Sequence, residues 1–180
     1  TMKLNERIIY FLLNSLSHLI RRMNPCERVV WAQKFGGFAF HYIPVRKSTA
    51  LQNIGRAFPD KPTQWKTQIL KKCYTFFMEQ FLFFFGFPES YTRTKIKVKN
   101  KNVLDEAMQK KRGVLYISGH FGFWECNIAW FGSHNYPLTG VAQRQKNEGA
   151  HQFFIKKRGW SGIKHVFRKD SLDKMNRVLE

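Results

Sequence analysis

The fold is constrained most by a change of rhythm near Lys95. Before it, apolar residues recur at helical steps; after it, short apolar or alternating segments take turns with helical ones. Ile9, Leu12, Leu13, Leu16, Leu19 and Ile20 fall three and four residues apart, so residues 8–20 read as a helix. Val29 to Pro44 is a second apolar, aromatic stretch around Gly36-Gly37. Ser48 has the character of an N-cap for a helix to about Phe58, where Pro59-Asp60-Lys61-Pro62 stops it. Thr63, or the Pro before it, opens a long helix through Trp65, Ile69, Leu70, Cys73, Phe76, Phe77 and Phe81, and Gly86 and Pro88 end it.

Beyond that point, Lys95-Ile96-Lys97-Val98-Lys99 alternates with period two, the pattern of a strand with one wet face. Asn102 caps a short helix through Met108 that ends near Gly113, and Val114-Leu115-Tyr116-Ile117 reads as a fully apolar strand. A helix from about Phe123 to Gly132, a strand near Leu138 to Ala142, a helix over about Gly149 to Arg158 and a strand at Ile163 to Val166 follow. Alternation of this kind predicts an α/β fold with parallel strands. The expectation is a single domain over residues 1–180. Membrane-associated helices would fill 1–90, and a mixed or mostly parallel sheet with flanking helices 91–180. A last helix begins at Asp170 and breaks off at Glu180 without a capping signal, so we expect a chain incomplete at its C-terminus.

Charge narrows the partners. Lys and Arg outnumber Asp and Glu by 31 to 12, a formal net charge of +19, which attracts nucleic acid, anionic lipid or an acidic carrier protein. The 18 Phe decide among these: blocks such as Phe81-Leu82-Phe83-Phe84-Phe85 are too apolar for an exposed base-stacking platform. No helix-turn-helix, zinc-finger or RNA-recognition signature is present either. Apolar blocks bounded by Lys and Arg fit an anionic bilayer interface, with burial in a core as the competing reading. Residues 8–20 are too short and too polar for a span of about 20 apolar residues, so an interfacial anchor helix is favoured over a core helix or a tilted partial span. Cys26, Cys73 and Cys126 lie far apart and form no C-x-x-C pair, which argues against a zinc or disulfide framework and for a reducing compartment.

Chemistry concentrates in Ser118-Gly119-His120-Phe121-Gly122-Phe123-Trp124-Glu125, between an expected strand and an expected helix. Ligands bind outside the C-terminal ends of strands in open α/β sheets, and glycines permit a sharp turn there. Histidine is suited to taking and returning a proton near neutral pH, and a carboxylate on its other ring nitrogen stabilises the imidazolium. Five residues apart in a regular helix would diverge by about 140°. His120 must therefore sit on the turn and Glu125 in the first helical turn, where its charge also suits the helix dipole. Free N–H groups at that helix start could stabilise an oxyanion. A histidine that merely satisfies a turn carbonyl is the competing reading. His165 and Asp170 share the five-residue step but lack the strand, the glycine turn and the apolar helix, and read as surface loop.

Ile117-Ser118-Gly119-His120-Phe121-Gly122-Phe123-Trp124-Glu125 resembles the His-x4-Asp/Glu block of the lysophospholipid acyltransferase superfamily. More closely it resembles the late acyltransferases of lipid A biosynthesis, the lauroyl and myristoyl transferases of Gram-negative bacteria. Upstream, Gln52-Asn53-Ile54-Gly55-Arg56-Ala57-Phe58-Pro59 is similar to that family's Asn-Leu…Phe-Pro element. Downstream, Gly140-Val141-Ala142-Gln143-Arg144 with Asn147 is similar to its strand ending in Tyr-Arg and a nearby Asn-Pro. Arg158 matches the arginine closing the next helix, and Arg168-Lys169-Asp170 another recurring run. The chain departs from the pattern in having Gln143 for the aromatic and no Pro after Asn147. It also lacks the Asp-containing strand block and the Phe-Phe-Gly-type element that follow in the family.

The resemblance implies transfer of a fatty acyl chain from a thioester of acyl carrier protein (or acyl-CoA) to a hydroxyl of a lipid A precursor or similar glycolipid. His120 would be the general base and Glu125 its orienting partner, with Arg144, Asn147 and Arg158 binding substrate. Arg158 or Arg144 could clamp a phosphate or hold Glu125 bidentately. The resemblance implies no metal, no cofactor and no nucleic acid, and places the chain on the cytoplasmic face of the bacterial inner membrane. Rival readings are acylation of another glycolipid such as a phosphatidylinositol mannoside, and a basic nucleic-acid-binding or purely membrane-associating module.

Overall fold

The computed structural model describes residues 2–43, 45–167, 174, 176 and 177. In chain order the elements are α1 (Leu4–Arg22), α2 (Pro25–Tyr42), α3 (Lys47–Ala57), α4 (Thr63–Phe85), α5 (Glu89–Thr92), α6 (Lys101–Gln109), α7 (Trp124–Ser133), β1 (Thr139–Ala142), α8 (Glu148–Gly159) and β2 (Lys164–Phe167). They form two compact units, one of residues 19–90 and one of residues 1–18 with 91–180.

The 19–90 unit is helical, and α2 packed along α4 is its centre. Asn24 starts α2 with a capping box: its side chain accepts from the Glu27 N–H at 2.9 Å while Glu27 accepts from the Asn24 N–H at 2.7 Å. The buried stripe of α2 is Arg28, Ala32, Gly36 and Phe40, one residue in four. A Cβ on Gly36 would lie 2.4 Å from the Thr75 Cα, so the two backbones meet where only hydrogen fits. Arg28 is tolerated inside because it donates to the Met23 carbonyl at 3.0 Å and lies over the Phe83 ring. The phenylalanine block divides: Leu82 to Phe85 and Phe87 are core, whereas Phe76 and Phe77 face outward. Each buried leucine or phenylalanine contributes about 1.5–3 kcal/mol by leaving water.

The second unit holds α6, α7, α8 and a sheet of two parallel strands. β1 and β2 pair with Thr139 opposite Lys164 and Gly140 opposite His165, and α8 is the crossover between them. Ala129, Trp130, Phe131, Phe153, Ile163 and Val166 are buried in it. The start of α8 presses on α1: a Cβ on Gly149 would come within 1.9 Å of the Glu6 carbonyl oxygen.

Helical spacing located α1, α3, α4, α7 and α8, and β1 and β2 stand within a residue of their predicted places. The expected mixed or mostly parallel sheet is, among the described residues, two strands only. Lys95–Lys99 and Val114–Ile117 are not strands; they run as irregular, exposed chain, with Leu115 78% and Ile117 83% accessible. Alternation makes a segment fit to pair, but a strand exists only where a neighbour takes up its backbone N–H and C=O groups. Two caps also differ. Arg46 rather than Ser48 precedes α3, and Asn100 rather than Asn102 precedes α6, both in the left-handed region at φ 51° and 56°. Ser48 and Asn102 lie inside their helices. No helix among the described residues is long and apolar enough to cross a membrane. The predicted helix from Asp170 falls mainly outside the described residues.

Candidate active site

The turn before α7 is built by three short backbone bonds: Phe121 N–H to Gly119 O at 2.9 Å, Trp124 N–H to Gly122 O at 3.1 Å, and Cys126 N–H to Phe123 O at 2.8 Å. Gly122 adopts φ +55°, the left-handed conformation that glycine takes without steric cost. His120 is therefore carried on an exposed turn, and Glu125 is the second residue of α7. This is the division between turn and first helical turn that the five-residue step requires.

The two side chains point to different partners. The His120 ring lies against Trp124, with centroids 5.0 Å apart, and makes no hydrogen bond to Glu125. Glu125 is buried and belongs to Arg158, which donates from Nη2 to Oε1 at 2.7 Å and from Nε to both carboxylate oxygens at 3.2 Å. A buried carboxylate is tolerated only with such charge-assisted bonds, and the planar guanidinium supplies them from one edge. Arg158 reaches it from the last turn of α8, stacked over Phe154.

Arg144 and Asn147 stand at the other end of α8. Arg144 is exposed and pairs with Glu148 four residues on. The Asn147 side chain accepts from the Ala150 N–H at 3.0 Å as the N-cap of α8. Of the five residues singled out, the fold joins Glu125 with Arg158. It leaves His120 on the turn and sets Arg144 and Asn147 at the opposite end of the helix.

Reading by spacing missed two histidines. His151 of α8 and His165 of β2 line one small hollow with Arg158, Gln143 and Gln145. His165, expected on a surface loop, is half-buried within a strand; Asp170, its expected counterpart, lies outside the described residues. The signal was partly present, since Ile163 to Val166 is strand-like, but only the pairing of Gly140 with His165 shows what its side chain meets. Burial holds His165 below the usual histidine range, and Arg158 adds to this while Glu125 opposes it. His151 is lowered by burial and by Arg144. Burial, with the Glu125 charge beside it, pushes the Cys126 thiol up to about 12. Among the described residues, no three His, Cys, Asp or Glu side chains are grouped to hold a metal ion.

The match of this chain is to enzymes that transfer acyl groups. It covers residues 2–180, the family is that of the bacterial lipid A biosynthesis acyltransferases, and the chain belongs to it. Searches of curated proteins and of solved structures returned no match. Membership makes the chain an acyltransferase acting on lipid A-type substrates, with an acyl donor and a lipid acceptor.

Proposed function

We propose that the chain moves a fatty acyl group from a thioester of acyl carrier protein, with acyl-CoA as the alternative donor, to a hydroxyl of a lipid A precursor. The observation that carries this is the exposed His120 on a glycine turn, five residues before a Glu125 held in the first turn of α7 by Arg158. His120 takes the acceptor proton as the oxygen attacks the thioester carbonyl. The tetrahedral intermediate collapses by breaking the carbon–sulfur bond, and His120 returns the proton to the departing thiolate. N–H groups at the start of α7 are suited to the oxyanion. A carboxylate has about four lone-pair positions, so Glu125 can accept from the His120 ring while Arg158 keeps it in place. Arg144 and Asn147 are read as contacts to a phosphate-bearing acceptor.

The same reading seats the chain on the cytoplasmic face of the bacterial inner membrane. Leu4, Ile8, Phe11, Leu12, Leu16 and Leu19 of α1 are exposed, as are Trp31, Phe35 and Phe38 of α2, in a chain of net charge +19. Each of these exposed apolar helix stretches, in a chain of net positive charge, supports binding in the plane of an anionic interface.

The test is transfer of labelled acyl groups from acyl carrier protein to a lipid A precursor in detergent, comparing wild type with His120→Ala. A loss of about 100-fold or more is expected, in line with removal of a general base. Equal product from both would overturn the role of His120, and product with other lipids alone would overturn the acceptor.

A further inference from the structure

His165, His151 and Arg158 line one small hollow. It forms because α8 turns back through Gly162, at φ +90°, into β2, which brings residues 158 and 165 together. The β pairing then sets Gly140 opposite His165, where a Cβ in place of the glycine hydrogen would lie 4.0 Å from the ring. On its other edge, Arg158 grips Glu125.

We propose that His165 is a positioning residue for the Arg158–Glu125 pair, fixing the guanidinium from across the hollow in the orientation that clamps the carboxylate. This rests on the reading of Glu125 as part of the acyl-transfer site. The charged and titratable groups near His165 are Arg158 and His151 from α8 and Glu125 from α7, while β1 contributes the uncharged Gly140 and Ala142. A neutral imidazole has one acceptor nitrogen to turn toward a guanidinium donor. A protonated one would repel Arg158 and compete with it for the Glu125 carboxylate, loosening the clamp. Burial first, and Arg158 after it, disfavour protonation of the His165 ring.

The first arm is a titration of the His165 ring by NMR in the whole chain, which needs no activity. The midpoint is expected below 6.5, its ordinary value. It should move by roughly 1 pH unit between variants, down in Glu125→Gln and up in Arg158→Gln. If Arg158→Gln fails to fold, the isosteric Glu125→Gln decides alone. A midpoint that neither substitution moves overturns the proposal. The second arm is kinetic: His165→Ala should lower kcat about 10- to 100-fold with little change in KM, and His165→Gln, which keeps an acceptor, should restore most of it. A His165→Ala enzyme with wild-type kcat overturns the positioning role. A wild type without acyl transfer would overturn the proposed reaction, and the NMR arm would still decide whether His165 faces the pair.

Discussion

Arg158 grips the Glu125 carboxylate from one edge of its guanidinium, across 33 residues of sequence and from the last turn of the helix that crosses between β1 and β2. The pair ties the last turn of α8 to the first turn of α7, so the carboxylate beside the histidine turn is held by a helix that follows it in the chain. Loss of Arg158 leaves a buried carboxylate without its cation. Arg158→Met should destabilise the chain by about 3 kcal/mol, measured by urea unfolding. Adding Glu125→Leu to it should recover most of that loss, because an apolar pair needs no desolvation of charge. Stability of the double variant no better than that of Arg158→Met would show that the pair does not act as a unit.

Gly36 and Gly37 make an internal control for helix packing. A methyl at Gly36 meets the Thr75 backbone, whereas one at Gly37 meets nothing within 4 Å. Gly36→Ala should cost about 3 kcal/mol through overpacking. Gly37→Ala should gain about 0.5 kcal/mol by lowering the entropy of the unfolded chain. The thermal midpoints of the two variants should move in opposite directions.

Mild acid should weaken the fold through two of its histidines. His151 and His165 both have folded values below the ordinary 6.5, so between those values and 6.5 the unfolded chain binds more protons than the folded one. Stability is then complete above the unfolded value and declines as pH falls through it toward the folded values. Urea midpoints should drop between pH 7 and pH 5, and His165→Gln should reduce that slope. A wild-type slope of zero or of opposite sign across this range contradicts the burial of both rings.

The cysteines should separate by reactivity. Cys26 and Cys73 are exposed, while the Cys126 thiol, at about 12, is almost wholly protonated at neutral pH. Iodoacetamide at pH 8 should label the first two and leave Cys126 until urea is added. Peptide mass mapping that finds Cys126 labelled at the rate of Cys73 would refute its protected position.

Much of the chain was legible locally. The placement of His120 on a turn and Glu125 in the following first turn follows from Gly119, Gly122 and the apolar residues after them, since turn chemistry and helical spacing act over a few residues. The Asn147 cap is legible on the same grounds. That 95–99 and 114–117 form no strand was not legible in this way, because a strand is a relation between two segments. The sequence of Lys95-Ile96-Lys97-Val98-Lys99 states only one side of that relation.

By itself, then, the order of residues determined the helices, the histidine turn and the family to which the chain belongs. These rest on propensity, periodicity and motif, each read within a short window. Tertiary structure alone decided that Glu125 pairs with Arg158, that His165 shares a hollow with that arginine, and which part of the phenylalanine block is core. Each depends on which side chains a parallel crossover and a helix–helix contact bring within a few ångströms. Charge pairing and burial at that range are set by distance in space and carry no signature in spacing along the chain.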